Sequence, residues 1–134
     1  MANVEDIEGV GAASAAKLEA AGVKTIEGLL SAGGTAKGRA DLVEKTGISD
    51  MLILKWVNHA DLIRIKGVGP EISEILEASG VDSVKELAQR NATNLRVKME
   101  EVNDAKKLVR QLPSESQVQG FIDEAKTLPG AVSH

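Results

Sequence analysis

The sequence predicts an all-α protein, and three features of its 134 residues lead to that prediction. Hydrophobic residues make up 43% of the chain, but only Trp56 and Phe121 are aromatic. A core of Leu, Ile, Val and Ala suits closely packed helices better than a β-sandwich, whose strands favour aromatic side chains. Capping residues divide the chain into helical segments, and one helical motif occurs twice.

The repeated motif is a glycine-containing segment. Ile-Glu-Gly-Val-Gly at 7–11 returns as Ile-Lys-Gly-Val-Gly at 65–69, an offset of 58 residues (67 − 9). The positions that follow at this offset are Leu18, Gly22, Val23, Thr25 and Leu29 in the first copy and Leu76, Gly80, Val81, Ser83 and Leu87 in the second. This shared register indicates an internal duplication and two pseudo-symmetric helical repeats packed as one compact body.

The first copy is predicted to contain four helices, each with a start or stop signal. They run from Ala12 to Ala21 before Gly22, from Thr25 to Gly33-Gly34, from Thr35 to Thr46 before Gly47, and onward from a cap at Ser49. The fourth has an apolar stripe of helical period, formed by Leu52, Ile53, Trp56, Val57 and Ala60.

The second copy is predicted to contain four further helices. The first runs from Pro70 to Ser79 before Gly80, and the second runs from a capping box of Ser83 and Glu86 to near Asn91. The third runs from a cap at Thr93 or Asn94 to about Glu101. The fourth begins at a capping box of Ser114 and Gln117. Phe121 follows Trp56 by 65 residues (121 − 56), so both aromatic residues are expected to be core anchors of equivalent last helices.

The repeats define the predicted domain organisation. The first covers residues 1–61 and the second covers residues 62–128. Residues 129–134 follow Leu128 with a Pro-Gly pair and are predicted to be a disordered tail.

Composition excludes several classes of function. The absence of cysteine excludes disulfides and thiolate chemistry and fits a reducing compartment. No cationic leader or apolar run of membrane length is present, so we expect a cytoplasmic protein without a membrane partner. The net charge of −4 does not attract polyanions at long range.

The Gly-Val-Gly segments carry the main functional signal. Two glycines around a valine allow positive φ and an exposed row of N–H groups, while the valine plugs into the core. Such a row at a helix start is an anion site. The segments resemble the helix-hairpin-helix family, whose pattern is matched by Ile7, Gly9, Val10, Gly11 and Ala15 and by Ile65, Gly67, Val68, Gly69 and Ser73.

The resemblance implies a SAM-like helical fold and sequence-independent contact with nucleic-acid phosphates. Segments 21–26 and 79–84 also resemble part of the C-terminal domain of the RNA polymerase alpha chain. The whole sequence resembles an uncharacterised bacterial domain-of-unknown-function family, some members of which are labelled flap-endonuclease-like. The residues implied to contact DNA or RNA are Gly9, Val10, Gly11, Ser14, Lys17, Lys66, Gly67, Val68, Gly69 and Ser73.

Other residues oppose that function. Ala13 and Glu71 occupy the position where DNA-binding hairpins usually place a basic or hydroxyl side chain, and Glu8 precedes Gly9. A carboxylate beside a phosphate is repulsive. The hairpins are therefore also consistent with a purely structural role, or with a protein-interaction or scaffolding module of the same fold. The sequence leaves the protein partner and the oligomeric state open.

A basic segment provides a second candidate contact with nucleic acid. Its cationic residues are Arg96, Lys98, Lys106, Lys107 and Arg110. The alternative is an ordinary solvated helical face.

Catalysis has little support in the sequence. His59 is predicted to lie on the polar side of a helix, where a solvated or capping histidine is more common than a general base. No metal-ligand spacing is present, and no cofactor is expected. A metal-dependent nuclease is the least favoured of the three functional hypotheses, so we expect a non-enzymatic protein.

Overall fold

The structure is a computed structural model that describes residues 2–134. Within that range the chain forms eight α-helices, one 3-10 turn and no strand, so the all-α prediction is confirmed. The elements are the 3-10 turn Val4–Asp6, α1 (Ala12–Ala20), α2 (Ile26–Gly33), α3 (Ala36–Thr46), α4 (Asp50–Leu62), α5 (Pro70–Ala78), α6 (Val84–Leu87), α7 (Ala92–Lys106) and α8 (Glu115–Ala125).

The chain folds into two compact units. Unit 1 contains the described residues up to Asp61 together with Ala131–His134, and unit 2 contains Leu62–Gly130. Unit 1 therefore includes α1, α2, α3 and all of α4 except its last residue. Unit 2 includes α5, α6, α7 and α8.

Side-chain caps set the starts of several helices at the predicted positions. The hydroxyls of Thr25 and Thr35 accept the N–H three residues ahead at 2.9 and 3.0 Å. Ser114 and Gln117 form the predicted reciprocal capping box, with distances of 3.1 and 2.8 Å. Each cap satisfies an N–H group that has no partner inside its helix, and so fixes where the helix begins.

The boundary between α6 and α7 differs from the prediction. Helix α6 ends at Leu87 rather than near Asn91, and Asn91 is instead the cap of α7. Its side-chain oxygen accepts the N–H of Asn94 at 3.0 Å. An asparagine in extended conformation accepts this bond well, so the predicted caps at Thr93 or Asn94 were wrong.

Helix α7 also continues past its predicted end near Glu101. Leu95 and Met99 lie one turn apart and are fully buried, and in the polar second half of the helix Val102 packs against the same cluster. The helix stops at Lys107, whose φ of 52° is left-handed and whose N–H donates to the carbonyl of Asn103 at 2.8 Å. Packing therefore extends a helix whose sequence is too polar to indicate its length.

Each unit has its own apolar residues in the interior. In unit 2 the buried cluster includes Leu62, Ile65, Val68, Ile75, Leu76, Val81, Leu87, Leu95, Met99, Val118 and Ile122. In unit 1 the buried apolar residues include Val4, Ile7, Val10, Leu18, Val23, Leu29, Leu42, Ile53, Trp56 and Val57. Trp56 is buried and Phe121 is half-buried against its cluster, which agrees with their predicted role as core anchors.

Helix α4 corrects two predictions. Leu52 is 42% exposed and lies outside the buried stripe to which it was assigned. His59 was predicted on a polar face but is completely buried, and every residue from 56 to 62 is buried with it. The last two turns of α4 are thus buried on every face. A pattern that assigns polar residues to an exposed helix face therefore fails for this segment.

Residues 131–134 pack on unit 1, which differs from the predicted disordered tail. The N–H of Ser133 donates to the carbonyl of Gly34 at 2.8 Å. Arg39 donates to the carbonyls of Ser133, Gly33 and Gly34 at 2.6, 2.9 and 3.2 Å. Arg39 is 8% exposed and has no carboxylate within ion-pair distance in the described chain, so carbonyl dipoles alone stabilise its buried charge.

The first glycine of each Gly-Val-Gly segment makes the turn. Gly9 and Gly67 have φ values of 89° and 91°, a region that residues with a Cβ rarely adopt. Gly11 and Gly69 have φ values of −82° and −104° and are extended. The positive φ expected of these segments from the sequence is therefore supplied by the first glycine alone, because the second glycine is in a conformation open to any residue.

An aromatic ring lies close to each turn-forming glycine. A Cβ added to Gly67 would lie 3.2 Å from Cε1 of Phe121, which is closer than ordinary contact. A Cβ added to Gly9 would lie 3.7 Å from Nε1 of Trp56, at contact distance. Within each unit, one aromatic side chain therefore lies against one turn-forming glycine.

We expect Arg39→Ala to lower the free energy of unfolding by about 2 kcal/mol, because the carbonyls of Gly33 and Ser133 would lose their donor. The carbonyl of Gly34 would keep only its bonds from Ser133. Denaturant unfolding would measure the loss, and hydrogen exchange at the Ser133 amide would report release of residues 131–134. Lys37→Ala, an exposed cation on the same helix, is the control and should change stability by less than about 0.5 kcal/mol. Equal effects of the two substitutions would contradict this account of Arg39.

We expect Gly9→Ala and Gly67→Ala to destabilise the protein by about 1–2 kcal/mol through the left-handed backbone alone. Gly67→Ala should cost more than Gly9→Ala because its methyl group meets Phe121. The controls Gly11→Ala and Gly69→Ala place a methyl group in open space and should shift stability by less than about 0.5 kcal/mol. Thermal unfolding followed by circular dichroism distinguishes these pairs, and destabilisation by all four would disprove the assignment.

Candidate functional site

Turn 1, residues 7–11, presents unpaired backbone donors at the start of α1. Val10 is buried and its N–H donates to the carbonyl of Ile7 at 3.1 Å, which fixes the turn. Gly11 is the N-cap of α1 and has no side chain with which to cap it. The N–H groups of the next three residues, 12–14, have no acceptor anywhere in the described chain. These amides and the positive end of the helix dipole form a site suited to an anion.

The surroundings of turn 1 leave those amides accessible. A side chain at Gly11 would meet no atom within 4 Å, and Ala12 and Ala13 are exposed. Lys17 is exposed and half-buried Ser14 precedes it by three residues, which places the two near each other on the helix. Glu8 is also exposed and opposes an anion. The site can therefore accept a phosphate oxygen, but only with a modest electrostatic contribution.

Turn 2, residues 65–69, has the same backbone but fewer donors. Val68 is buried and its N–H donates to the carbonyl of Ile65 at 3.0 Å. Gly69 is the N-cap of α5, and the next residue, Pro70, has no N–H group. Exposed Glu71 adds a negative charge in the first turn of the helix.

One of the turn 2 amides is already occupied by a carboxylate. The N–H of Lys66 donates to Oε2 of Glu124 at 3.1 Å. Glu124 lies in the last turn of α8, while the Lys66 side chain itself is exposed. An anion approaching this amide must therefore displace a side chain of its own charge.

Three of the residues expected to contact nucleic acid are instead interior. Ser73 is completely buried, and its hydroxyl donates to the carbonyl of Pro70 at 2.9 Å, so it cannot reach a phosphate. Val10 and Val68 are buried and anchor their turns. Ser73 is the small residue of the hairpin pattern in unit 2, and its role there is to pack in the interior.

The basic segment separates into engaged and exposed residues. Arg96 is half-buried, and its guanidinium donates to the carbonyl of Pro113 at 2.7 Å and to Glu100 at 3.1 Å. Its charge therefore holds the loop before α8 rather than a ligand. The remaining members are exposed on or just after α7: Lys98, Lys106, Lys107 and Arg110.

Met51, which was not singled out from the sequence, forms an apolar surface on unit 1 together with Leu52. Met51 is 78% exposed and its neighbour Leu52 is 42% exposed. Met51 borders a groove between α3 and α4, also lined by Ala36, Ala40 and Leu54 and by the charged residues Arg39 and Asp50. A signal for this surface was present in the sequence: two adjacent apolar residues, Met51 and Leu52, directly follow the helix start at Asp50. Neighbouring residues point in different directions from a helix, so both cannot lie at the centre of one buried stripe.

Among the residues that the structure describes, no group of three or more His, Asp or Glu side chains is placed to hold a metal ion. No helix in the described range is both long and apolar enough to span a bilayer.

Comparison with known proteins gives one match. Neither the curated proteins nor the solved structures include a match to this chain. The family described as Domain of unknown function (DUF4332) matches residues 8–128. This match includes all eight helices, the positive-φ glycines of both turns, and Glu124. The chain belongs to the DUF4332 family.

Proposed function

We propose that this chain is a non-enzymatic module that binds the phosphate backbone of DNA or RNA weakly and without sequence preference, through the start of α1. The observation that carries the proposal is the exposed set of amides at 12–14, which lack both a side-chain cap and an acceptor in the described residues. Backbone amides recognise a phosphate oxygen equally well beside any base, so contact of this kind carries no sequence information.

The proposal includes the helix-hairpin-helix character of both units. It is supported by the shared 58-residue offset and by nearly identical φ values at Gly9 and Gly67, 89° and 91°. On this basis we interpret the units as copies of one hairpin repeat in a cytoplasmic bacterial protein. The absence of cysteine supports the location, and the resemblance to a bacterial family supports the source.

The charges around the two turns lead us to propose low affinity. Glu8 and Glu71 oppose a phosphate, and turn 2 lacks an N–H at Pro70. A site with one or two phosphate contacts has a small salt dependence, with a slope of log K against log salt of roughly −1 to −2. The exposed cations Lys106, Lys107 and Arg110 can add long-range attraction, but the exposed acidic residues Glu101 and Asp104 precede them on α7.

We expect Gly11→Asp to abolish most DNA binding without harming the fold. An aspartate at this N-cap would accept the Ser14 amide, as Thr25 and Thr35 do for their helices, and would repel phosphate. Affinity for short duplex DNA, measured by fluorescence anisotropy at low salt, should fall by about tenfold or more. The free energy of unfolding should stay the same or rise by a few tenths of a kcal/mol.

Gly69→Asp is the matched control for this experiment. It introduces the same charge at the equivalent position of turn 2, where a side chain also meets no atom within 4 Å. We expect it to weaken DNA binding far less than Gly11→Asp does. The proposal is wrong if the natural chain fails to bind DNA or RNA at low salt, or if the two aspartates weaken binding equally.

A second candidate function is protein interaction, and the exposed pair Met51 and Leu52 favours it. Two adjacent apolar side chains with 78% and 42% exposure contact water at an energetic cost unless a partner covers them. The small residues Ala36 and Ala40 lie one helical turn apart in the groove that Met51 borders and allow close approach of a partner helix. This surface and turn 1 use different residues, so each function can be tested alone.

We expect Met51→Lys to remove such a partner while leaving DNA binding unchanged. Quantitative pull-down from cell extract would compare the natural chain, Met51→Lys and Val97→Lys. Val97 is 52% exposed on α7 of unit 2 and provides a matched apolar-to-cation control. Loss of the same bound protein with both substitutions, or with neither, would count against an interaction site at Met51.

A further inference from the structure

We infer that Glu124 acts as an internal anion that occupies the Lys66 amide of turn 2 and competes there with a phosphate oxygen, so that nucleic-acid contact falls mainly to turn 1. This inference rests on the proposed function and assigns different roles to the two turns. It treats the contact between Glu124 and Lys66 as a determinant of which turn binds, rather than as a stabilising bond alone.

The geometry places a carboxylate on one of the backbone amides of turn 2 that an oxyanion ligand could contact. Oε2 of Glu124 accepts the N–H of Lys66 at 3.1 Å, directly before Gly67. A phosphate oxygen and a carboxylate oxygen use the same acceptor chemistry toward a backbone N–H, and both prefer a positive environment. Lys66 supplies that positive side chain, and it is exposed. Glu124 therefore accepts the backbone N–H of Lys66, and the Lys66 side chain is the only cation among residues 65–69.

Helix α8 holds Glu124 in this position. Phe121 lies three residues earlier on the same helix and approaches Gly67 closely, as the 3.2 Å distance to an added Cβ indicates. At the end of α8 the Thr127 hydroxyl donates to the Glu124 carbonyl at 2.7 Å, which fixes the backbone there. Residues three apart lie on one face of a helix, so Phe121 and Glu124 meet the turn together.

Unit 1 lacks the equivalent carboxylate. The 65-residue offset that relates Phe121 to Trp56 relates Glu124 to His59 (124 − 65), and the 58-residue offset relates Lys66 to Glu8. No carboxylate in the described chain accepts the Glu8 N–H. Turn 1 therefore keeps accessible amides beside an acidic side chain, whereas turn 2 has a basic side chain, a covered amide at Lys66, and open amides at 71 and 72 in the described chain.

The test is to remove the carboxylate and measure binding. We expect Glu124→Ala and Glu124→Gln to raise affinity for short duplex DNA by about threefold to tenfold at low salt. The slope of log K against log salt should steepen by about 0.9 for each additional phosphate that the protein neutralises. In a titration with inorganic phosphate followed by NMR, the Lys66 and Gly67 amide signals should shift in Glu124→Ala and stay fixed in the natural chain.

Asp123→Asn is the matched control, because it removes one negative charge from the neighbouring residue of α8. Asp123 is exposed and accepts a hydrogen bond from Gln119 at 2.9 Å, away from the Lys66 amide. An equal gain in affinity for Asp123→Asn and Glu124→Gln would mean that net charge alone is responsible, and the inference would be overturned. Circular dichroism verifies that each variant is folded, and Glu124→Gln replaces Glu124→Ala if the latter unfolds.

The double variant with Gly11→Asp and Glu124→Ala separates this inference from the proposed function. Binding that persists in the double variant, with phosphate-induced shifts at Lys66, supports an opened turn 2. If the natural chain fails to bind but Glu124→Ala binds, the proposed function is wrong and the role of Glu124 stands. If the natural chain binds and no Glu124 variant changes affinity or the Lys66 signal, the inference is wrong and the proposed function stands.

Discussion

The fit between a positive-φ glycine and an aromatic ring is the constraint on which both units depend. Gly9 over Trp56 and Gly67 over Phe121 allow the chain to reverse where a residue with a Cβ would be strained. Once the turn is fixed, the following valine enters the core and the next helix begins within two residues. The direction of the amides at the helix start is therefore a consequence of interior packing, and surface side chains have no part in it.

Because the interior sets the backbone, the chemistry of each turn depends on a few residues around it. Pro70 removes a donor, Glu124 covers another, and Glu8 adds a negative charge beside the first turn. None of these residues belongs to the buried apolar interior of its unit. Two turns with nearly identical φ can thus differ in what they bind, and similarity of backbone is a poor guide to similarity of function.

The sequence predicts the features that local chemistry determines. Caps such as Thr25, Thr35 and Ser114 act through bonds to residues three positions away, so their effects are visible in a short window of sequence. The burial of His59 and the packing of residues 131–134 depend on contacts distant in the chain. The bond between Glu124 and Lys66 joins residues 58 positions apart and has no local signature. At the candidate site, the two turns could therefore be predicted from the sequence, but the carboxylate that covers the Lys66 amide could not.

The single tryptophan has a consequence for how the protein can be observed. Trp56 is 2% exposed in unit 1, and the chain contains no tyrosine. Excitation of indole fluorescence therefore reports on unit 1 alone, and its emission is sensitive to the environment beside Gly9. Far-ultraviolet circular dichroism senses the helices of both units. A difference between the two optical signals during denaturation would reveal whether the units unfold independently, without any label or fusion.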